Sequence, residues 1–233
     1  MAARRLAPGA RLAICLFAGA MLLYPALAGA ALLRWQPRPV ACGVLAIALG
    51  TLILRRALEG RSARSLARQS AAGIALLLGA IAWNDAAPLR LFPALVNLQL
   101  AIAFGATLRG ERSLIERAAL AIQPYLPPFT RSYCRKVTAM WAAFFAANTA
   151  LIAWLALSAP LAWWTLYTSR VYFAIVAVLS IAEFLVRKLF FRHYNKGLVD
   201  RVLAAFFPAE NTERGRRSVA YLNEMRRLGL KTD

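Results

Sequence analysis

VTAMWAAFFAANTALIAWLALS, residues 137–158, carries no charge from end to end and follows the cationic segment RSYCRK at 131–136. A helix needs about 20 apolar residues to cross the hydrocarbon of a bilayer, so this run predicts a membrane-spanning helix with its cationic end at one surface. The pattern recurs along the chain. Residues 12–33 form a second uncharged run, between Arg11 and Arg34. Shorter or less pure runs follow at 40–54, 70–83, 91–108 and 171–186. The run at 70–83 ends at Asn84-Asp85, and the aliphatic stem of Arg68 extends it by snorkelling. The reading is an all-α, polytopic membrane protein of about six transmembrane helices with short amphipathic cytoplasmic helices.

Composition agrees. Of 233 residues, 61% are hydrophobic, more than a soluble domain of this size can keep from water. Lys and Arg number 29 against 10 Asp and Glu, a formal charge of +19. All of these cations except Arg34, Arg38, Arg90 and Arg170 fall at the N-terminus, in the loops at 55–69 and 109–136, or in the tail from Arg187. Cationic segments stay on the cytoplasmic side, so the long loops and both termini are predicted to face the cytoplasm from a bacterial inner membrane. Residues 1–192 then form the transmembrane domain and 193–233 a basic amphipathic cytoplasmic tail. Arg4, Arg5, Arg11 and the Ala26-Leu27-Ala28 triplet resemble a cleavable signal peptide, but the apolar run continues to Leu33, which favours a retained span. The opposite connectors, RWQPRP at 34–39, NDAAPLR at 84–90 and APLAWWTLYTSR at 159–170, supply Trp35, Trp83, Trp163, Trp164 and Tyr167 as an interfacial aromatic belt. Asp85 is placed to pair with Arg90.

In the loop at 109–136, Leu114, Ile115, Ala118, Ala119 and Ile122 recur at helical spacing, with Arg112, Glu116 and Arg117 between them. This predicts a short amphipathic helix ended by Pro124 and Pro127-Pro128, lying at the membrane surface. The tail repeats the device. Leu198, Val199, Val202, Leu203, Phe206 and Phe207 make one apolar face before Pro208, and residues 216–228 place Val219, Leu222 and Met225 among arginines. Such helices suit anionic headgroups, where each nearby cation gains about 1 kcal/mol, or an acidic protein partner. Nucleic acid is not expected, since the cations are spread over four segments without a reading module.

Polar residues inside a span are costly and therefore candidates for function. Glu183 lies within the last span, and Arg187 follows one helical turn later, close enough for an i,i+4 ion pair. With Asn97, Gln99 and Asn148 they are the substrate or path candidates, although interhelical hydrogen bonding also accounts for the amides. No motif indicates a metal or a cofactor, and no catalytic residue is assigned. His193 is the sole histidine, and Cys15 and Cys42 lie in apolar runs. Cys134 stands beside Arg135 and Lys136 but lacks an identifiable base, so its thiol is read as incidental.

Residues 84–187 carry a further pattern: Asn84-Asp85, FPALVN at 92–97, FGATL at 104–108, LIER at 114–117, LPP at 126–128 and RKVT at 135–138. Trp141, Phe144-Phe145, Asn148, Glu183 and Arg187 complete it. In these residues the chain resembles an uncharacterised family of bacterial inner-membrane proteins encoded with aryl-polyene and xanthomonadin-type pigment biosynthesis genes, sometimes labelled ketosynthases. It is more distantly similar to the septation protein A membrane family. The N-terminal region and the tail after Arg192 match less well. The ketosynthase label does not fit the chemistry, because a condensing enzyme of the thiolase type needs a nucleophilic Cys with two His, or His and Asn, in a soluble α/β fold.

The resemblance implies a non-catalytic accessory protein for pigment-lipid synthesis, docking acyl-carrier protein or soluble synthases through Arg112, Arg117, Arg131, Arg135 and Lys136. A transporter or flippase for the lipid product is the alternative; six spans suffice for it, particularly in a homodimer. A membrane-embedded acyl or glycosyl transferase, with Glu183 or His193 as base, is the third and has no motif behind it.

Overall fold

The computed structural model describes residues 23–59, 63–122, 127–191 and 198–228. Among these residues every regular element is a helix. In chain order they are α1 (Leu23–Leu32), α2 (Pro37–Glu59), α3 (Ala63–Trp83), α4 (Ala87–Thr107), α5 (Leu114–Ile122), α6 (Arg131–Ser158), α7 (Leu161–Leu166), α8 (Tyr172–Phe191), α9 (Leu198–Phe206) and α10 (Glu213–Arg227). A π-helical turn, Tyr167–Val171, lies between α7 and α8.

The expected spans fall on helical residues except at Leu33 and Leu108, which are turn residues, and at 12–22 of the first, which lie outside the described residues. Of the six expected, two helices among the described residues are long and apolar enough to cross a membrane, Ala87–Thr107 and Pro128–Ser158, and only 17% and 28% of their apolar stretches are buried; Leu23–Leu32, Pro37–Gly50 and Ser70–Trp83 are apolar but shorter. A core helix of a soluble protein would be mostly covered. Here Ile102, Trp154 and Leu157 are at least 60% exposed, which suits lipid and not water.

Two connectors differ from expectation. Much of 55–69 is helical, because α2 continues to Glu59 and α3 starts at Ala63. Ala, Leu, Arg and Glu are strong helix formers, and the end of an apolar run does not oblige a helix to stop. The segment 159–170 is likewise helical from Leu161, with Pro160 preceding the first turn.

The chain divides into two compact units. One extends to Ile102 and resumes over Ala143–Phe173; the other comprises Ala103–Ala142 and continues from Ala174. In the first unit, Val40 and Ala41 of α2 pack on Leu77 and Ala80 of α3 and on Leu89 of α4. A second cluster joins Ala28 of α1, Leu155 and Ala156 of α6, and Trp164 of α7. Gly29 lies so close to α7 that an added Cβ would stand 2.4 Å from Thr165 Oγ1. Asn84, the one non-glycine residue with positive φ (50°) among the described residues, turns the chain between α3 and α4, a conformation that asparagine tolerates. Its Oδ1 accepts the Arg38 N–H at 3.0 Å.

Proline 93 sits inside α4 and cannot supply the N–H that the Leu89 carbonyl would otherwise receive. Tyr24 fills the gap: its hydroxyl donates to Leu89 O at 2.9 Å. The adjacent Arg90 carbonyl accepts Trp164 Nε1 at 2.9 Å. Side chains from α1 and α7 thus satisfy the backbone around the proline, as low-dielectric surroundings require.

In the second unit α5 forms where its periodicity places it. Ser113 precedes it as N-cap, with Glu116 N–H donating to Ser113 Oγ at 3.4 Å. The Ser-x-x-Glu spacing is that of a capping box. Around Gly215 of α10, an added Cβ would be 2.1 Å from the Ala209 carbonyl oxygen, so only glycine permits this approach.

Candidate functional site

Two groups of polar residues stand out, one in each unit. The first surrounds the π turn. An ordinary α-helix places residues i and i+5 about 140° apart. Here the Tyr172 N–H donates to Tyr167 O, closing a wider turn that brings the two tyrosines toward one face. Tyr167 OH donates to Asn148 Oδ1 at 2.5 Å, and Tyr172 OH donates to Asn97 Oδ1 at 3.1 Å. Each asparagine turns its Nδ2 to the carbonyl four residues back, Asn97 to Pro93 and Asn148 to Phe144, both at 2.9 Å. Tyr172 also stacks on Phe144, with ring centroids 6.0 Å apart. Asn97 and Asn148 are buried and each is hydrogen-bonded to a tyrosine, whereas Gln99 is exposed and does not join them.

Nearby in the same unit, Arg90 Nη2 donates to Leu155 O at 2.7 Å and Ala159 O at 2.5 Å. Its guanidinium thus adds a donor at the end of α6, where Leu155 O also accepts the Ala159 N–H at 3.2 Å. Asp85 Oδ1 accepts the Ala87 N–H at 2.9 Å and so starts α4; no Asp85–Arg90 ion pair forms. The aromatic residues divide. Trp35, Trp83 and Trp163 are 63–77% exposed, as a belt requires, but Trp164 is wholly buried on Arg90 and Tyr167 is committed to Asn148.

The second group is built on the loop between α4 and α5 and the first turns of α6. Arg135 Nη1 donates to Gly110 O at 3.2 Å, and its Nη2 to Leu108 O. Arg131 Nη2 donates to Glu111 O, and Arg117 Nε to Arg112 O at 3.1 Å. Thr107 Oγ1 accepts the Leu114 N–H at 3.0 Å, and Thr138 Oγ1 accepts the Ile115 N–H at 3.3 Å. Ser113 and Thr138 are fully buried, and Glu116 is 7% exposed, with Arg131 Nε 3.9 Å from its carboxylate. The side chains of Arg109, Arg112 and Lys136 are exposed and donate to no group among the described residues. Cys134 is buried while Arg135 and Lys136 beside it are exposed, so these cations do not activate its thiol.

Glu183 and Arg187 also lie in this unit, 3.7 Å apart. Tyr133 OH donates to Glu183 Oε1 at 3.2 Å, and Tyr133 packs against both Phe190 and Phe191. Arg214 of α10 sits 4.2 Å above the Phe190 ring, a cation–π contact that fixes the tail helix. Among the described residues no cluster of His, Cys, Asp and Glu can hold a metal ion.

Reading the sequence missed the tyrosine partners of Asn97 and Asn148, the burial of Trp164 and the arginines that bind the loop backbone. The Ser113-Glu116 spacing was available as a signal; the π turn had none. Comparison of the chain with family models, with curated proteins and with solved structures gave no match.

Proposed function

We propose that the chain is a polytopic inner-membrane protein of about six spans with both termini in the cytoplasm. On this reading it acts without catalysis, docking soluble synthesis proteins at the bilayer for an aryl-polyene or xanthomonadin-like pigment lipid. The observation that carries the docking role is the cationic loop at 108–117. It is held to α6 by Arg131 and Arg135, is braced by Arg117 of α5, and leaves Arg109, Arg112 and Lys136 exposed. Fixed cations of this kind raise the encounter rate of an acidic partner, and acyl-carrier protein has the required charge. The pigment context rests on the resemblance over residues 84–187.

A lipid path through Asn97 and Asn148 has less support, because both amide oxygens are already taken by tyrosine hydroxyls. The pair serves as a helix-to-helix clamp.

Docking is tested with the protein in nanodiscs and the acyl-carrier protein of its own gene cluster. Binding that weakens steeply between ~50 mM and ~500 mM salt is the expected result. Absence of binding at low salt would remove the docking role. Deletion of the gene, followed by mass spectrometry of pigment and membrane lipids, tests the pathway.

A further inference from the structure

The basic residues of the 108–138 region fall into two sets. Arg117, Arg131 and Arg135 spend guanidinium hydrogens on the carbonyls of Leu108, Gly110, Glu111 and Arg112. Thr107, Ser113 and Thr138 hold the same loop through α5 N–H groups. The loop is thus tied through four of its carbonyls and through the first three N–H groups of α5. The other set, Arg109, Arg112 and Lys136, reaches solvent without a partner among the described residues.

We infer that Arg117, Arg131 and Arg135 are a latch, and that Arg109, Arg112 and Lys136 are the face that reads a soluble protein with an acidic helix. Attraction to an anionic leaflet needs only cations near the surface, and flexible polybasic segments supply it without fixed geometry. A latch has a use where the partner has a shape: ordering the loop beforehand lowers the entropy lost on docking. Glu111 sharpens the distinction. Its carboxylate is exposed between Arg109 and Arg112, where it repels a phosphate headgroup but sets register against a protein of mixed charge. Glu116, the other acid of the loop, is buried against Arg131 and contributes little outside.

This assignment rests on the docking role proposed above, and the test separates the two. Wild type, the double variant Arg112→Glu/Lys136→Glu, and Arg135→Ala are placed in phosphatidylcholine nanodiscs with the acyl-carrier protein as probe. The double variant is expected to bind about tenfold or more weakly with an unchanged melting temperature, since it removes only exposed charge. Arg135→Ala is expected to melt earlier and to expose the loop to protease, while binding well below its melting temperature stays within about threefold of wild type. Carrier that binds wild type and the double variant alike overturns the reading face and leaves docking standing; no binding to wild type overturns both. Equal loss in Arg135→Ala without loss of stability overturns the latch. Soluble short-chain phosphatidylglycerol that displaces the carrier from wild type, but does not bind the double variant, marks a headgroup site and overturns the choice of a protein.

Discussion

Tyr24 illustrates how a single hydroxyl can be required by a proline 69 positions away in sequence, counted from Tyr24 to Pro93. Pro93 leaves the buried Leu89 carbonyl without its helical donor, and Tyr24 provides one at 2.9 Å. Tyr24→Phe keeps the ring and its packing on Phe92 while orphaning that carbonyl. The expected loss is about 1–3 kcal/mol, read as a lower unfolding midpoint in detergent. Tyr24→Phe combined with Pro93→Ala should recover most of it, because alanine returns the missing N–H; no recovery would mean that the hydroxyl acts some other way. The Asn–Tyr pairs are subject to the same test by a double-mutant cycle. Asn97→Leu and Tyr172→Phe should couple by roughly 0.6–2 kcal/mol, the range for interhelical hydrogen bonds in membranes. A coupling indistinguishable from zero would show that the 3.1 Å contact stabilises nothing.

Ser113 decides whether α5 holds its place. Its hydroxyl caps the helix, and α5 in turn supplies the Ile115 N–H to Thr138 on α6. Ser113→Ala should cost about 1 kcal/mol, and hydrogen exchange of the amides of residues 114–117 should rise more than that of the α6 core. Gly215→Ala is expected to be harsher, because the Ala209 carbonyl is backbone and cannot rotate away; limited proteolysis at 209–216 is the readout. These elements also show what a sequence discloses. The α5 periodicity was legible because Leu114, Ile115, Ala119 and Ile122 recur at helical spacing between polar residues and stop before Pro124. The continuation of α2 through Arg55 and Arg56 was not, since hydropathy records where a helix leaves lipid and not where it ends. Trp164 was assigned to the interface by its neighbours Trp163 and Tyr167, yet the rotation of about 100° between adjacent helical residues sends one ring outward and buries the other. The π turn escaped because no residue type specifies it. The candidate cations were all visible as charges; which ones bind backbone became visible only once the loop had a shape.

The placement of charge along the chain carries the proposed topology, and it can be tested separately from any partner. An arginine or lysine at the centre of a bilayer costs about 2.5–3.5 kcal/mol, so a segment such as 108–117 with 131–136 does not cross readily. Exposed apolar side chains on α4 and α6 point to the same solvent: Ile102, Trp154 and Leu157 would be a liability in water and are ordinary in lipid. Single cysteines placed in a chain whose own Cys15, Cys42 and Cys134 are replaced by alanine locate each connector. In intact spheroplasts, Trp83→Cys should react with a membrane-impermeant maleimide, since Trp83 is 77% exposed at the α3–α4 turn. Arg112→Cys and Arg216→Cys should stay unlabelled until the membrane is permeabilised. Labelling of Arg112→Cys and Arg216→Cys on opposite sides would mean an odd number of crossings between α4 and α10. The cationic loop and the tail would then face different compartments, and no single cytoplasmic partner could meet both.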